Sequence, residues 1–104
     1  MSTISICRLD ELVEGEARRF DVADARLCVV RIGDDVLCIA DRCSHEDFSL
    51  SQGDVFVAGR EIECVRHGAI FDLTTGEPCS LPATKPVATF AASVVDGMVE
   101  VEVG

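Results

Sequence analysis

Two short segments carry residues able to grip a metal. Cys43-Ser44-His45 and Cys64-Val65-Arg66-His67 are separated by eighteen residues, and both of the chain's histidines lie in them, with one and two residues respectively between each histidine and its cysteine. Two thiolates and two imidazoles suit either a tetrahedral structural zinc or a [2Fe–2S] cluster in which two histidines replace two cysteines on one iron. The pairing favours iron. Each segment offers one Cys and one His, so two matching loops can put Cys43 and Cys64 on one iron and His45 and His67 on the other. The thiolate-bound iron then gains two negative ligands and the imidazole-bound iron none. An added electron therefore settles on the histidine side, and the potential lies above that of an all-cysteine cluster.

Both segments need a rigid support, and the flanking sequence predicts strands. Thr3 to Leu9 and Arg18 to Val22 read as strands, with a turn or short helical piece over Asp10 to Glu16. Arg26 to Ile32 and Val36 to Ala40 are rich in Val, Ile and Leu, and Gly33-Asp34-Asp35 between them signals a hairpin. This hairpin delivers the chain to Asp41-Arg42 and the first ligand loop, which Gly53 ends. Asp54 to Ala58 and Arg60 to Cys64 form a second hairpin around Gly59, leading into the second loop. Ile70 to Leu73 is a short strand with Thr74-Thr75-Gly76 as its turn. Glu77 to Pro86 holds all three prolines and is excluded from a central strand. Thr89 to Val95 and Met98 to Val103 flank Asp96-Gly97, a two-residue type I′ turn. Val99, Val101 and Val103 share one face opposite Glu100 and Glu102, as in a half-buried antiparallel strand. No long helical period occurs. The expected class is all-β, with stacked antiparallel sheets.

A chain of 104 residues with 48% hydrophobic content allows one domain, 1–104, with a modest core. No run of about 18 apolar residues is present, which argues against a membrane span. Met1 to Asp10 has no export-signal pattern, so a cytoplasmic location is expected. In that compartment thiols stay reduced, and six cysteines need not form three disulfides. Cys28 and Cys38, inside apolar runs, read as small buried hydrophobes. A bridge between them would be unneeded. The net charge of −10 argues against nucleic acid as a partner and for solubility and steering toward basic docking patches.

The run Cys43-Ser44-His45-Glu46-Asp47-Phe48-Ser49-Leu50, then Cys64-Val65-Arg66-His67-Gly68, with Phe71-Asp72 and Thr75-Gly76 following, resembles a Rieske-type [2Fe–2S] ferredoxin, the electron carrier of bacterial ring-hydroxylating dioxygenase systems. The likeness extends over nearly the whole chain. It implies the Rieske fold, sandwich-like, with a small two-loop lobe over about 41–83 that binds one cluster through Cys43, His45, Cys64 and His67. Gly68 would bring a bare backbone N–H near the cluster, and Leu81-Pro82-Ala83 would match a third, proline-bearing shielding loop.

The resemblance also implies a function. The chain would be a monomeric one-electron carrier with no catalytic residues of its own. It would take electrons from an NAD(P)H-dependent flavin ferredoxin reductase and pass them to a terminal Rieske non-haem iron oxygenase. High-potential Rieske proteins of quinol oxidation carry a disulfide between the loops and Ser and Tyr hydroxyls aimed at the cluster. The matching positions here are Phe48 and Arg66, then Ala69 and Phe71. Fewer donors and no clamp imply a potential near the low end of the Rieske range, on the order of −150 mV. The small Rieske subunit of an assimilatory nitrite reductase is the alternative, and a zinc-stapled interaction module is a third reading.

Overall fold

The computed structural model describes residues 2–22, 24–42, 49–65, 68–79, 81 and 85–103. Leu27-Cys28-Val29-Val30 is an uninterrupted apolar run without the alternation of a one-sided strand, because its strand is buried on both faces. Strand β3 (Ala25–Ile32) lies between β2 (Ala17–Val22) and β4 (Asp35–Ala40), with β8 (Thr89–Phe90) beyond β4, in a four-stranded antiparallel sheet. Cys28, Val30, Ile32 and Ile39 point to one side of it, and Leu27, Val29, Val36 and Cys38 to the other.

Each side meets a further sheet. Leu27, Val29 and Cys38 pack against Cys7, Val99, Val101 and Val103 of the sheet formed by β1 (Ser2–Arg8), β10 (Met98–Val103) and β9 (Ala92–Val95), in the order β1-β10-β9. Cys28, Val30 and Ile39 pack against Leu50, Ile62, Cys64, Ala69, Phe71 and Leu73 of the small lobe. That lobe is built on β5 (Asp54–Phe56), β6 (Glu61–Glu63) and β7 (Ile70–Asp72). The described residues thus form three stacked antiparallel sheets with two apolar seams. No helix among the described residues is long and apolar enough to cross a membrane.

The expected turns form with their expected chemistry. Ile32 pairs with Asp35, leaving Gly33 (φ +62°) at the first central position of a two-residue turn, where a II′ turn requires glycine. Asp96 (φ +51°) and Gly97 (φ +78°) are both left-handed, as type I′ demands. Val99 and Val101 are fully buried while Glu102 is exposed. The Asp72 carboxylate accepts from the Thr74 and Thr75 N–H groups at 2.7 and 3.1 Å, forming the turn after β7. Pro78 makes only an isolated bridge to Phe71.

Two details differ from expectation. Thr89 to Val95 is not one strand. It breaks at Ala91, with Thr89 and Phe90 paired to β4 and Ala92 to Val95 paired to β10. The Ala91 carbonyl accepts from the Glu102 N–H at 2.9 Å, so one apolar run stitches the outer sheet to the middle one. In the β5–β6 turn the left-handed residue is Arg60 (φ +53°), next to the expected Gly59. The Arg60 carbonyl accepts from the Leu73 N–H (2.8 Å) and its guanidinium reaches Asp35 (2.8 Å).

Cys28 and Cys38 are buried as expected, at 0% and 3% exposure. Cys28 pairs across the hairpin with Ile39, and Cys38 with Val29, so the two side chains lie on opposite faces of the sheet and cannot bridge. Burial pushes the Cys38 thiol up to about 12 and the Cys28 thiol higher still. Both remain protonated at neutral pH.

Candidate metal centre

The first ligand segment starts where β4 ends. The Ala40 N–H donates to the Ala88 carbonyl (2.8 Å) and the Asp41 N–H to the Arg26 carbonyl (2.9 Å), so the strand is anchored on both sides up to its last residue. Cys43, His45 and the rest of 43–48 lie outside the described residues. The chain returns at Ser49. Leu50, fully buried, plugs the seam between the lobe and the middle sheet. A single 3₁₀ turn, Leu50–Gln52, closes with the Gly53 N–H donating to the Leu50 carbonyl at 2.9 Å.

The two ends of the first segment are tied to each other by Asp41. Its carboxylate has no solvent exposure. Oδ1 accepts from the Ser51 N–H (2.6 Å), and Oδ2 accepts from the Ser51 hydroxyl (3.0 Å) and from the Ser49 hydroxyl. Arg19 Nε stands 3.8 Å from Oδ2. Sequence reasoning passed over Asp41, Ser49 and Ser51 as site-forming residues. The available signal was an acid directly after an apolar strand, followed by a Ser-x-Ser pair at the far end of the ligand segment.

The second ligand segment is a tight turn between β6 and β7. The Cys64 N–H donates to the Ala69 carbonyl (2.7 Å) and the Gly68 N–H to the Cys64 carbonyl (2.9 Å). Gly68 has φ +73°, a left-handed conformation that glycine adopts without a steric penalty. Its N–H, expected to face the cluster, thus serves the turn. Cys64 is fully buried among Leu50, Ile62, Ala69 and Phe71. Val65, the next residue, is 51% exposed, and Leu81 is 78% exposed. His67 and Pro82 lie outside the described residues.

The two segments meet at their bases. A Cβ on Gly53 would stand 1.8 Å from the Glu63 carbonyl oxygen. The backbone that closes the first segment therefore lies directly on the residue that precedes Cys64. This contact sets the distance between the segments, and only a residue without a side chain allows it.

The donor chemistry fits a [2Fe–2S] group. Cys64 sits at the boundary between an apolar floor, which excludes water and lowers the local dielectric, and a turn whose next residue is exposed. Ala69 and Phe71, both at 0% exposure, contribute no hydroxyl. Fewer hydrogen bonds to the sulfurs lower the potential.

A model of the Rieske [2Fe–2S] domain matches residues 2–91. The chain is 38% identical over 96 residues to the ferredoxin subunit of anthranilate 1,2-dioxygenase from Burkholderia cepacia, covering 92% of this chain and 87% of that one. It superposes on the ferredoxin of carbazole 1,9a-dioxygenase from Nocardioides aromaticivorans with a TM-score of 0.94 and 35% identity, over 97% of each chain. The ferredoxin in a complex of reduced oxygenase and oxidised ferredoxin of carbazole 1,9a-dioxygenase matches with a TM-score of 0.88 and 36% identity, over 95% of this chain and 91% of that one. A protein described as the small subunit of an NADH-dependent nitrite reductase from Mycobacterium tuberculosis, at 20% identity, shares the fold. With the family model spanning most of its length and relatives of this kind over nearly all of it, the chain belongs to the Rieske [2Fe–2S] family and carries one Rieske-type cluster.

Proposed function

We propose that this protein is the ferredoxin component of a multicomponent ring-hydroxylating dioxygenase. It shuttles single electrons from an NAD(P)H-dependent flavin ferredoxin reductase to a terminal Rieske non-haem iron oxygenase. The observation that carries this reading is near full-length similarity to dioxygenase ferredoxin subunits, one of them recorded in complex with its oxygenase. The bound cluster supplies reversible uptake of one electron. Cys43 and Cys64 hold one iron and His45 and His67 the other, with the ligand segments on a lobe spanning about 41–83 of a single domain, 1–104. The chain works as a monomer in the cytoplasm, where NAD(P)H is available. The nitrite reductase reading has only the shared fold in its favour.

The chain's own residues do the rest. Apolar packing around Cys64 keeps water from one side of the centre. The exposed Val65 side chain, directly after Cys64 in sequence, gives a partner an apolar contact near that residue. The net charge of −10 draws the carrier toward basic patches. Small, wet interfaces below about 1,200 Å² are usual for such encounters and allow rapid release.

Reconstitution with a reductase and oxygenase of this class tests the reading. Substrate-dependent NADH oxidation should require this protein and saturate with it. Activity that is the same without it would contradict the assignment. Steering makes a further prediction. As the screening length shrinks from about 30 Å at 0.01 M salt to about 8 Å at 0.15 M, the bimolecular electron-transfer rate should fall about tenfold. A rate flat across that range would remove charge from the account.

A further inference from the structure

Among the described residues Asp41 is the single charged side chain that is fully withdrawn from solvent. Burying a carboxylate is unfavourable unless donors replace its lost water. Three donors do so, from Ser49 and Ser51, and all lie on the far side of the first ligand segment. The sheet does not need them, because the backbone at the end of β4 is already bonded to Arg26 and Ala88. The carboxylate instead spans eight to ten positions of sequence and closes a ring of chain around residues 42–48. Ser49 Oγ and Ser51 Oγ lie 2.9 Å apart, so the two hydroxyls brace each other as well.

We propose that Asp41 is a positioning residue for the metal centre. By clamping Ser49 and Ser51 to the end of β4 it fixes the spread of the 42–48 segment, and with it the reach of Cys43 and His45 toward Cys64 and His67. The proposal rests on the reading of those four residues as ligands. The clamp does two things. It bears in advance the loop-ordering entropy that cluster binding would otherwise cost. It also places a carboxylate two residues before Cys43, Cα to Cα at most about 7 Å along the chain, with its charge only partly offset by Arg19, whose Nε stands 3.8 Å from Oδ2 and 3.0 Å from Asp21. An anion there opposes the arrival of an electron and lowers the potential.

Three variants of the holoprotein separate these effects. Asp41→Ala removes all three acceptor contacts, and iron release to a chelator should quicken at least about tenfold, the usual scale for groups that orient metal ligands. Its reduced-state paramagnetic spectrum should also shift. Asp41→Asn keeps the shape, and serine hydroxyls can turn to accept from the new amide. Release should stay within about twofold of the parent while the midpoint potential rises. The double variant Ser49→Ala, Ser51→Ala keeps the charge and loses two of the three donors. It should release iron at an intermediate rate with little change in potential. If Asp41→Ala does not fold, the other two variants still decide. Release rates, spectra and potentials all equal to the parent would overturn the proposal, as would a lowered melting temperature with those three unchanged. A parent protein without any di-iron signal would overturn the ligand reading beneath it, which is a distinct result.

Discussion

Gly53→Ala should yield a chain with native β-sheet content that holds little iron, less than about a tenth of the parent's two atoms per chain. The added Cβ would fall 1.8 Å from the Glu63 carbonyl oxygen and 3.1 Å from the Leu50 carbonyl oxygen. Both neighbours are backbone and cannot swing aside, so the two segments must part by over an ångström. Metal sites tolerate ligand displacements of only about 0.2 Å, and in the proposed ligand set each segment supplies half of the ligands. The outer seam of Leu27, Val29, Val99 and Val101 does not touch Gly53, so most of the sheet survives. Gly33→Ala is the control. A Cβ there meets nothing within 4 Å, so the cost is confined to backbone strain at the first position of a II′ turn (φ +62°), on the order of 1–3 kcal/mol. Iron analysis and far-UV circular dichroism of the two variants check the contrast. Full iron content in Gly53→Ala would show that the segments are not set by this contact.

Phe71→Ala should lower the melting temperature of the holoprotein by roughly 15–25 °C and speed bleaching of its visible colour. Phe71 is fully buried, pairs with Ile62 across β6 and β7, and packs in the seam that also holds Leu50 and Cys64. Truncating a buried phenylalanine costs about 3–5 kcal/mol, against a total stability on the order of 5–15 kcal/mol for a domain this size. Each kcal/mol shifts the midpoint by about 4–8 °C. The cavity would open on the Cys64 side, so water would gain access to the centre before the outer seam melts. Phe56→Ala, at a position 39% exposed, should shift the midpoint by only a few degrees. Thermal scans followed separately in the far-UV and in the visible check both statements. Equal shifts for the two variants would mean that the inner seam does not support the site.

Much of this architecture was written locally in the chain. Gly33-Asp34 and Asp96-Gly97 specify their turns through backbone φ values. The alternation of Val99, Val101 and Val103 identifies the inward face of β10. The Cys-x-His and Cys-x-x-His segments announce a metal by composition alone. What stayed hidden depends on partners distant in sequence. The three-layer stacking follows from burial of β3 on both faces, and an uninterrupted apolar run does not say what lies on either side. The break at Ala91 is invisible because both halves of the run are equally strand-like. Their assignment to different sheets is decided by β4 and β10. Asp41 looks like a surface acid until Ser49 and Ser51 return to it. Gly53 looks like an ordinary loop glycine until Glu63, ten residues on, is laid against it.

The most direct test of the central claim uses both histidines at once. Protein grown with ¹⁵N-histidine, reduced and frozen, can be measured for nitrogen couplings to the unpaired electron, alongside iron and acid-labile sulfide. Because His45 and His67 are the chain's only histidines, every histidine coupling reports on them. Two irons and two sulfides per chain, a mixed-valence di-iron signal, and two directly coordinated imidazole nitrogens are the expected result. A colourless protein with a single zinc, or a di-iron signal without histidine coupling, would contradict it.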